Sequence, residues 1–238
     1  MKKPIAKRHF PYKHPTFGTR KNPKPAASWQ GTVYYWWWQY LRRSDAYIRC
    51  CERGGKGRLA ALYQDFGDVR EYDFRTWWLK DSRGLRLFSE PRGQDDVRVL
   101  QQTDQVCDPL EALTVSLPLY LPRRYLEKNF KRMLKEAHPG KRGVQLAKQS
   151  RARYKVRGQP NTKAMARGLL VYDRWKEVKR PLWKIGNELP GIHRTQKITP
   201  RDHPSDVLLK KRALAATVRR YLTRVQRTIT NTESGLFP

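Results

Sequence analysis

Apolar residues recur at helical spacing between residues 181 and 232. Six of them fall at intervals that place them on one face of a helix with 3.6 residues per turn: Leu214, Val218, Tyr221, Leu222, Val225 and Ile229. Five basic residues project from the opposite side: Arg212, Arg219, Arg220, Arg224 and Arg227. No acidic residue occurs between Asp206 and Glu233. The pattern predicts a helix that packs on a core by one face and presents arginines on the other.

A second helical pattern lies in the aromatic stretch that begins at Ser28. One face of the predicted helix contains Val33, Tyr34, Trp37, Leu41, Ile48 and Cys51. Trp36 and Trp38 point elsewhere, so we expect a single core helix covered on more than one side, with all three adjacent indoles mostly buried. Six of the eight tryptophans lie between Trp29 and Trp78. Clustered tryptophan without interleaved basic residues favours a core over a base-stacking platform, and it is also a candidate surface for a second copy or a protein partner.

The remaining patterns predict a mixture of short helices and strands. Helices are expected through Leu59 and Leu62 and through Phe74, Trp77 and Trp78. Strands are expected at 85–88, 97–100 and 113–119, which together predict a small antiparallel sheet. Two further helices have these apolar faces: Leu126, Phe130, Met133, Leu134 and Ala137 in one, and Met165, Leu169 and Tyr172 in the other, with Asn161 as its N-cap. The predicted fold class is therefore α+β.

Charge divides the chain into three parts. The net charge is +30, with 51 lysines and arginines against 21 acidic residues. Residues 1–27 carry eight basic residues and no acid, residues 28–120 carry thirteen of each, and residues 121–238 carry thirty against eight. We predict a basic extended arm at 1–27, an aromatic-rich α+β domain at 28–120 and a basic all-helical domain at 121–238.

Segregated positive charge indicates a polyanionic partner, and nucleic acid is favoured over a membrane surface because the aromatic residues lie in the neutral part. No run approaches the ~18 apolar residues of a membrane helix, and the start of the chain lacks the apolar segment of a secretory signal, so the expected location is cytoplasmic. The predicted contact residues combine a basic loop with helix faces: Lys141, Arg142, Lys184, Lys210, Arg212, Thr217, Arg219, Arg220, Arg224 and Arg227.

The sequence offers no constellation for a cofactor or a metal. Cys50, Cys51 and Cys107 form no CxxC pair, and the five histidines are scattered through loops without a zinc-binding spacing. Gly54, Gly55 and Gly57 have no following GK[ST], so they predict a helix stop and a turn. The acids that could bind Mg²⁺ for a nuclease are Asp65, Asp68, Glu71 and Asp73, although such clusters are mostly caps and loop residues.

Two segments resemble bacterial DNA-binding regulators. The phrases PLWKIGNEL and ATVRRYL resemble the two halves of a helix-turn-helix, and WWWQYLRRSDAY is similar to the opening of regulator-like proteins of integrative elements. The resemblance implies a helix-turn-helix-like unit at 181–232 in which Trp183, Ile185, Leu189, Val218 and Leu222 are core. It implies that Thr217, Arg219, Arg220 and Arg224 face DNA. The long connection PGIHRTQKITPRDHPS replaces the usual short turn.

These observations favour a non-enzymatic protein that binds duplex DNA and acts as a transcriptional regulator or maintenance factor of a mobile element. An RNA-binding or ribonucleoprotein-assembly factor is the alternative, because the Pro/Lys arm and the basic loop at 141–157 fit it equally well. A metal-dependent nuclease using the acids at 65–73 is the second alternative.

Overall fold

In a computed structural model, residues 10–90, 113–137, 150–190 and 196–238 are described, and helices joined by turns dominate them. The N-terminal helices are short: α1 (Ala27–Gln30), α2 (Val33–Leu41), α3 (Asp45–Glu52), α4 (Ala60–Phe66), α5 (Phe74–Leu79) and α6 (Arg83–Phe88), with a 3₁₀ turn at Lys80–Ser82. The later helices are α7 (Arg123–Ala137), α8 (Thr162–Glu177), α9 (Leu182–Glu188) and α10 (Pro204–Glu233), and three of the four are longer than any N-terminal helix. Of these later helices only α9 is short.

The predicted sheet is wrong, because no strand forms in the described ranges and only two isolated bridges occur. The 85–88 segment belongs to α6, where Gly84, Leu87 and Phe88 are buried at helical spacing. The 113–119 segment has no regular structure and exposes its leucines, so nothing pairs with it as a strand. The third expected strand, at 97–100, lies outside the described residues.

The single helix expected across 33–51 is also wrong, because the chain turns between α2 and α3. The Ser44 hydroxyl accepts a hydrogen bond from the Tyr47 backbone N–H at 2.9 Å and so caps α3. A serine N-cap followed by Asp45 satisfies backbone donors at a helix start and places negative charge near its positive end. Two short helices therefore share the apolar face predicted for one long helix.

Aromatic side chains fill the core of the N-terminal half. Trp37 has no exposed surface and lies within 6.2 Å, between ring centroids, of Phe66, Phe88, Tyr154 and Phe237. Trp38 is also buried and Trp36 is half-buried, so the expected burial of the three indoles is confirmed for two of them and partly for the third. Rings at these distances gain stabilisation beyond the area they bury.

Part of the N-terminal segment lies against this core. Phe17 is buried, and the Phe10 ring lies 5.7 Å from Tyr34 and 6.1 Å from Trp78, measured between centroids. Residues 1–9 of the predicted arm lie outside the described residues.

Contacts join the N-terminal helices to α8 and α10. Arg43 donates to both carboxylate oxygens of Asp173 on α8, at 2.6 and 2.5 Å. Phe237, which follows α10, stacks on Trp37 with 5.2 Å between centroids and lies edge-on to Tyr40. One cluster of buried residues thus draws members from both sides of residue 120. Independent folding of the two parts is a separate property, so the division at residue 120 stays a prediction.

Helix α7 forms where it was predicted but buries none of its residues. Its apolar face is half-exposed or exposed throughout, and Tyr125 is exposed beside it. The leucines of the preceding segment 113–121 are largely exposed as well. The pattern therefore predicted the helix correctly, while its apolar side contributes little to the described core.

The end of α3 carries a cysteine pair and a glycine turn, and the helix stop predicted at the glycines is confirmed. Cys50 and Cys51 are buried and unbonded, and burial raises the pKa of the Cys51 thiol to about 11, which keeps it protonated and unreactive. After α3, Gly54 and Gly55 adopt positive φ and their N–H groups bond to carbonyls of the last helical turn. Such a glycine turn ends a helix.

Candidate nucleic-acid interface

Helix α10 has strong local reasons to form. Pro204 stands in its first turn, where the missing N–H costs nothing, and the His203 side chain caps the start. Neither glycine nor proline interrupts the helix after this turn, and Gly235 with positive φ follows its end. The helix therefore runs unbroken for 30 residues.

One face of α10 is buried along most of its length. The apolar stripe predicted from the sequence is confirmed, with Tyr221 half-buried and the other five members buried. Thr228 and Thr232 are buried on the same face. Two glycines let neighbouring helices approach this face closely. A Cβ on Gly186 of α9 would lie 3.1 Å from the Leu214 Cβ, and one on Gly168 of α8 would lie 2.9 Å from the Val225 Cγ2.

The opposite face exposes all five predicted arginines: Arg212, Arg219, Arg220, Arg224 and Arg227. No described carboxylate forms an ion pair with any of them. From first to last they span about 22 Å, at ~1.5 Å of rise per residue. A rigid helix thus carries five permanent cations whose planar forks match phosphate oxygens. We call this set the arginine face.

Two further predicted residues lie near the arginine face in different settings. Thr217 is half-buried and its Oγ1 accepts a hydrogen bond from Arg220 at 3.3 Å. Lys210 pairs with Asp202 at 2.8 Å and donates to the Lys197 carbonyl at 3.2 Å. The Lys210 hydrogen bond is the main reason that the pKa of Asp202 is lowered. Lys210 therefore ties the preceding loop to α10, and its charge is already compensated.

A cation–aromatic group lies where α9 meets α10. The Lys184 ammonium lies 5.6 Å from the Trp183 ring centroid, and that of Lys211 lies 4.8 Å from it. Trp183 is half-buried, whereas Ile185, Leu189, Val218 and Leu222 are buried. Lys184 is exposed as expected of a contact residue. Lys211 was not among the predicted contact residues, because this contact depends on how the two helices cross.

The predicted basic loop is only partly described. Lys141 and Arg142 lie outside the described residues. Residues 150–161 form an irregular loop, as predicted, and four of its basic side chains are exposed: Arg151, Arg153, Lys155 and Arg157.

Three of the four acids considered for a nuclease have structural partners, and the fourth, Glu71, is exposed. Asp65 accepts a hydrogen bond from the Tyr154 hydroxyl at 2.6 Å and pairs with Arg153 at 2.7 Å. Hydrogen bonds from Arg70 lower the pKa of Asp68, and hydrogen bonds from Thr76 lower that of Asp73, which caps α5. Among the described residues, no three His, Cys, Asp or Glu side chains are grouped to hold a metal ion.

No helix within the described ranges is both long enough and apolar enough to cross a bilayer. The chain matches no protein-family model, no curated protein and no solved structure.

Proposed function

We propose that this protein binds duplex DNA through the arginine face of α10. The observation that carries the proposal is the combination of a buried apolar stripe with an opposite face of five exposed arginines that have no described ion-pair partner. A solvated helix face normally mixes acidic and basic residues, and here every acid is missing between Asp206 and Glu233. The role that fits this activity is a transcriptional regulator or maintenance factor of a bacterial mobile element, located in the cytoplasm at the nucleoid.

The expected mechanism begins with phosphate contacts. Each phosphate that an arginine neutralises releases condensed counterions. For each such phosphate, the logarithm of the association constant therefore falls by ~0.9 when the salt concentration rises tenfold. Guanidinium groups project from more than one side of the exposed surface, since Arg219 and Arg220 are neighbours on a helix. One of them can bond to guanine O6 and N7 while the other holds a phosphate.

The arrangement differs from a compact helix-turn-helix. In such motifs the N-terminal residues of the second helix contact base edges. Here the free arginines begin at Arg212 and continue to Arg227, while Lys210 near the helix start is paired with Asp202. We therefore expect α10 to cross the DNA along its middle and C-terminal turns.

The central test replaces Arg219, Arg220 and Arg224 together with glutamine, which keeps the length and the helix propensity of the side chains. The salt slope of DNA binding should fall by roughly 2 to 3, at ~0.9 for each phosphate that is no longer neutralised. The melting temperature should change little, because exposed substitutions usually alter stability by less than about 0.5 kcal/mol. Fluorescence anisotropy across a salt series measures the slope.

A matched variant removes three charges elsewhere: Arg20, Arg75 and Arg124, which are all exposed, are replaced with glutamine. Equal decreases in both variants would mean that net charge, and not the arginine face, governs binding. An unchanged slope in the Arg219/Arg220/Arg224 variant would overturn the proposal. Competition between duplex DNA and structured RNA of equal length at fixed salt separates the DNA-binding role from the RNA-binding alternative.

A further inference from the structure

A pocket lined by basic side chains lies at the C-terminal end of α3. It belongs to the segment 28–120, in which basic and acidic residues are equal in number. It has a volume of about 220 Å³. Cys50 and Leu59 are the buried residues of its lining. Four cationic side chains complete it, and no acid does: Arg49, Arg53, Lys56 and Arg58. We call it the basic pocket.

The glycine turn after α3 creates the basic pocket. Arg49 on α3 and Arg53, the C-cap residue that follows it, are four residues apart and so lie on one side of the helix. Gly54, Gly55 and Gly57 all have positive φ, and they reverse the chain so that Lys56 and Arg58 return to the same place. Gly55 packs so closely on Tyr63 that an added Cβ would lie 2.2 Å from its ring. The convergence of the four cations is therefore fixed by backbone geometry.

This convergence is not explained by internal ion pairing. Glu52, the nearest acid on α3, interacts with Arg70 at 3.7 Å and does not line the pocket. Arg58 reaches Glu233 at 3.4 Å but leaves 80% of its side chain exposed. The other three cations have no ion pair with a described carboxylate. Like charges four residues apart destabilise a helix by a few tenths of a kcal/mol, so an anion in the pocket would relieve a repulsion that the fold retains.

The basic pocket continues into a shallow groove that reaches α10. The groove shares Ala46 and Arg49 with the pocket, and its α10 side includes Gln226 and Thr230. These two residues lie seven and eleven positions after Arg219, which places all three along one line of the helix surface. The groove also contains Asp45 and Glu233. Asp45 pairs with Lys176 at 2.8 Å, and Glu233 accepts from Ser44 at 2.6 Å.

We propose that the basic pocket binds a phosphate group of the same nucleic-acid backbone that the arginine face of α10 holds, so that bound nucleic acid runs from α10 across the groove to the α3–α4 turn. The proposal rests on the proposed function. The pocket is smaller than the ~300–1,000 Å³ of sites for drug-sized ligands, and its charge and size suit a phosphate group. Guanidinium and ammonium groups are the side chains that proteins use for phosphates.

The test replaces Arg49, Arg53 and Lys56 with glutamine in the full chain and measures the salt slope of duplex binding. Arg58 is kept because of its interaction with Glu233. If the pocket holds backbone phosphates, the slope falls by about 0.9 for each phosphate that is no longer neutralised, and the decreases in this variant and in the Arg219/Arg220/Arg224 variant add. Thermal melting shows whether the variant is folded. The Arg20/Arg75/Arg124 variant is the matched control, since it loses the same number of positive charges outside the pocket, and its slope should not decrease.

A second arm distinguishes the source of the phosphate. Inorganic pyrophosphate is titrated into both the unsubstituted protein and the pocket variant, and its binding is followed by calorimetry. An unchanged DNA slope with abolished pyrophosphate binding would overturn the proposal in favour of a small phosphorylated ligand. An unchanged slope with unchanged pyrophosphate binding would overturn the site altogether. If the slope decreases in the pocket variant but not in the Arg219/Arg220/Arg224 variant, phosphate binding by the pocket is supported and DNA binding by the arginine face is contradicted.

Discussion

The aromatic core around α2 and the arginine face of α10 use large side chains in opposite ways. Trp37 packs among four aromatic rings and meets no water, whereas Arg219 and its neighbours on α10 meet water and no described carboxylate. The first arrangement stabilises the fold by removing apolar area from water. The second contributes little to folding, because these exposed arginines have no ion-pair partner among the described residues. Stability and nucleic-acid affinity should therefore respond to different substitutions.

The largest expected effect is a loss of stability caused by a substitution in the aromatic core. Trp37→Ala should lower the free energy of unfolding by ~3–5 kcal/mol, since it removes a fully buried ring and leaves a cavity among its neighbours. Chemical denaturation followed by circular dichroism measures the change. At temperatures where the variant is folded, its DNA salt slope should equal that of the unsubstituted protein. A decrease below about 1 kcal/mol would mean that the core repacks, against the close packing expected of protein interiors.

A smaller effect on stability is expected for an arginine that packs against the aromatic core. Arg83 is buried, its Nε and Nη1 atoms have no hydrogen-bond partner among the described residues, and desolvation lowers its pKa. Its guanidinium carbon lies 5.8 Å from the Trp77 ring centroid. Arg83→Met keeps the length of the chain and removes the buried charge, so stability should rise by about 1 kcal/mol or more.

The matched substitution Arg219→Met changes the same residue type on the exposed face. It should leave the free energy of unfolding within about 0.5 kcal/mol while weakening DNA binding. A clear decrease in the stability of the Arg83→Met variant would contradict the argument and indicate that the Trp77 interaction outweighs the desolvation of the guanidinium group.

The smallest effect concerns an ion pair of the N-terminal half and depends on pH. Hydrogen bonds from Arg70 hold the pKa of Asp68 below its ordinary value of 3.8. Because the folded pKa is depressed, the carboxylate stabilises the fold above pH 3.8, and this contribution is lost as the pH falls through the lower folded pKa. Asp68→Asn should therefore cost up to ~1 kcal/mol at pH 7, and the difference from the unsubstituted protein should shrink on acidification. A difference that grows below pH 4 would contradict this assignment.

The sequence predicted features that depend on neighbouring residues and missed those that depend on distant contacts. The stripe from Leu214 to Ile229 is a local pattern on an uninterrupted helix, so its burial could be predicted from the spacing of the apolar residues alone. The apolar and basic residues of the 85–88 segment suggested a strand. Over only four residues, the same pattern also fits a helix. The helix is favoured by contacts far along the chain, since the Phe88 ring lies 5.0 Å from the Tyr34 ring and 5.2 Å from the Trp37 ring, measured between centroids.

The basic pocket was missed for a related reason. Counting charges made the segment 28–120 neutral, and Glu52 stands directly beside Arg53 in the sequence. In the folded chain, Glu52 is paired with Arg70 and the glycine turn gathers the nearby cations on another side. Charge balance along a sequence therefore says little about charge balance at one place on a surface.

The stacking of Phe237 on Trp37 has a consequence for the order in which the molecule can be made. The two rings are 200 residues apart in the sequence, and contacts between such distant residues form late because a long loop must close first. During synthesis, α1 to α6 are complete long before residue 237 emerges, and until then the site for the Phe237 ring stays open beside Trp37 and Tyr40. The growing chain must therefore carry an exposed aromatic surface until the Phe237 segment is made and covers it.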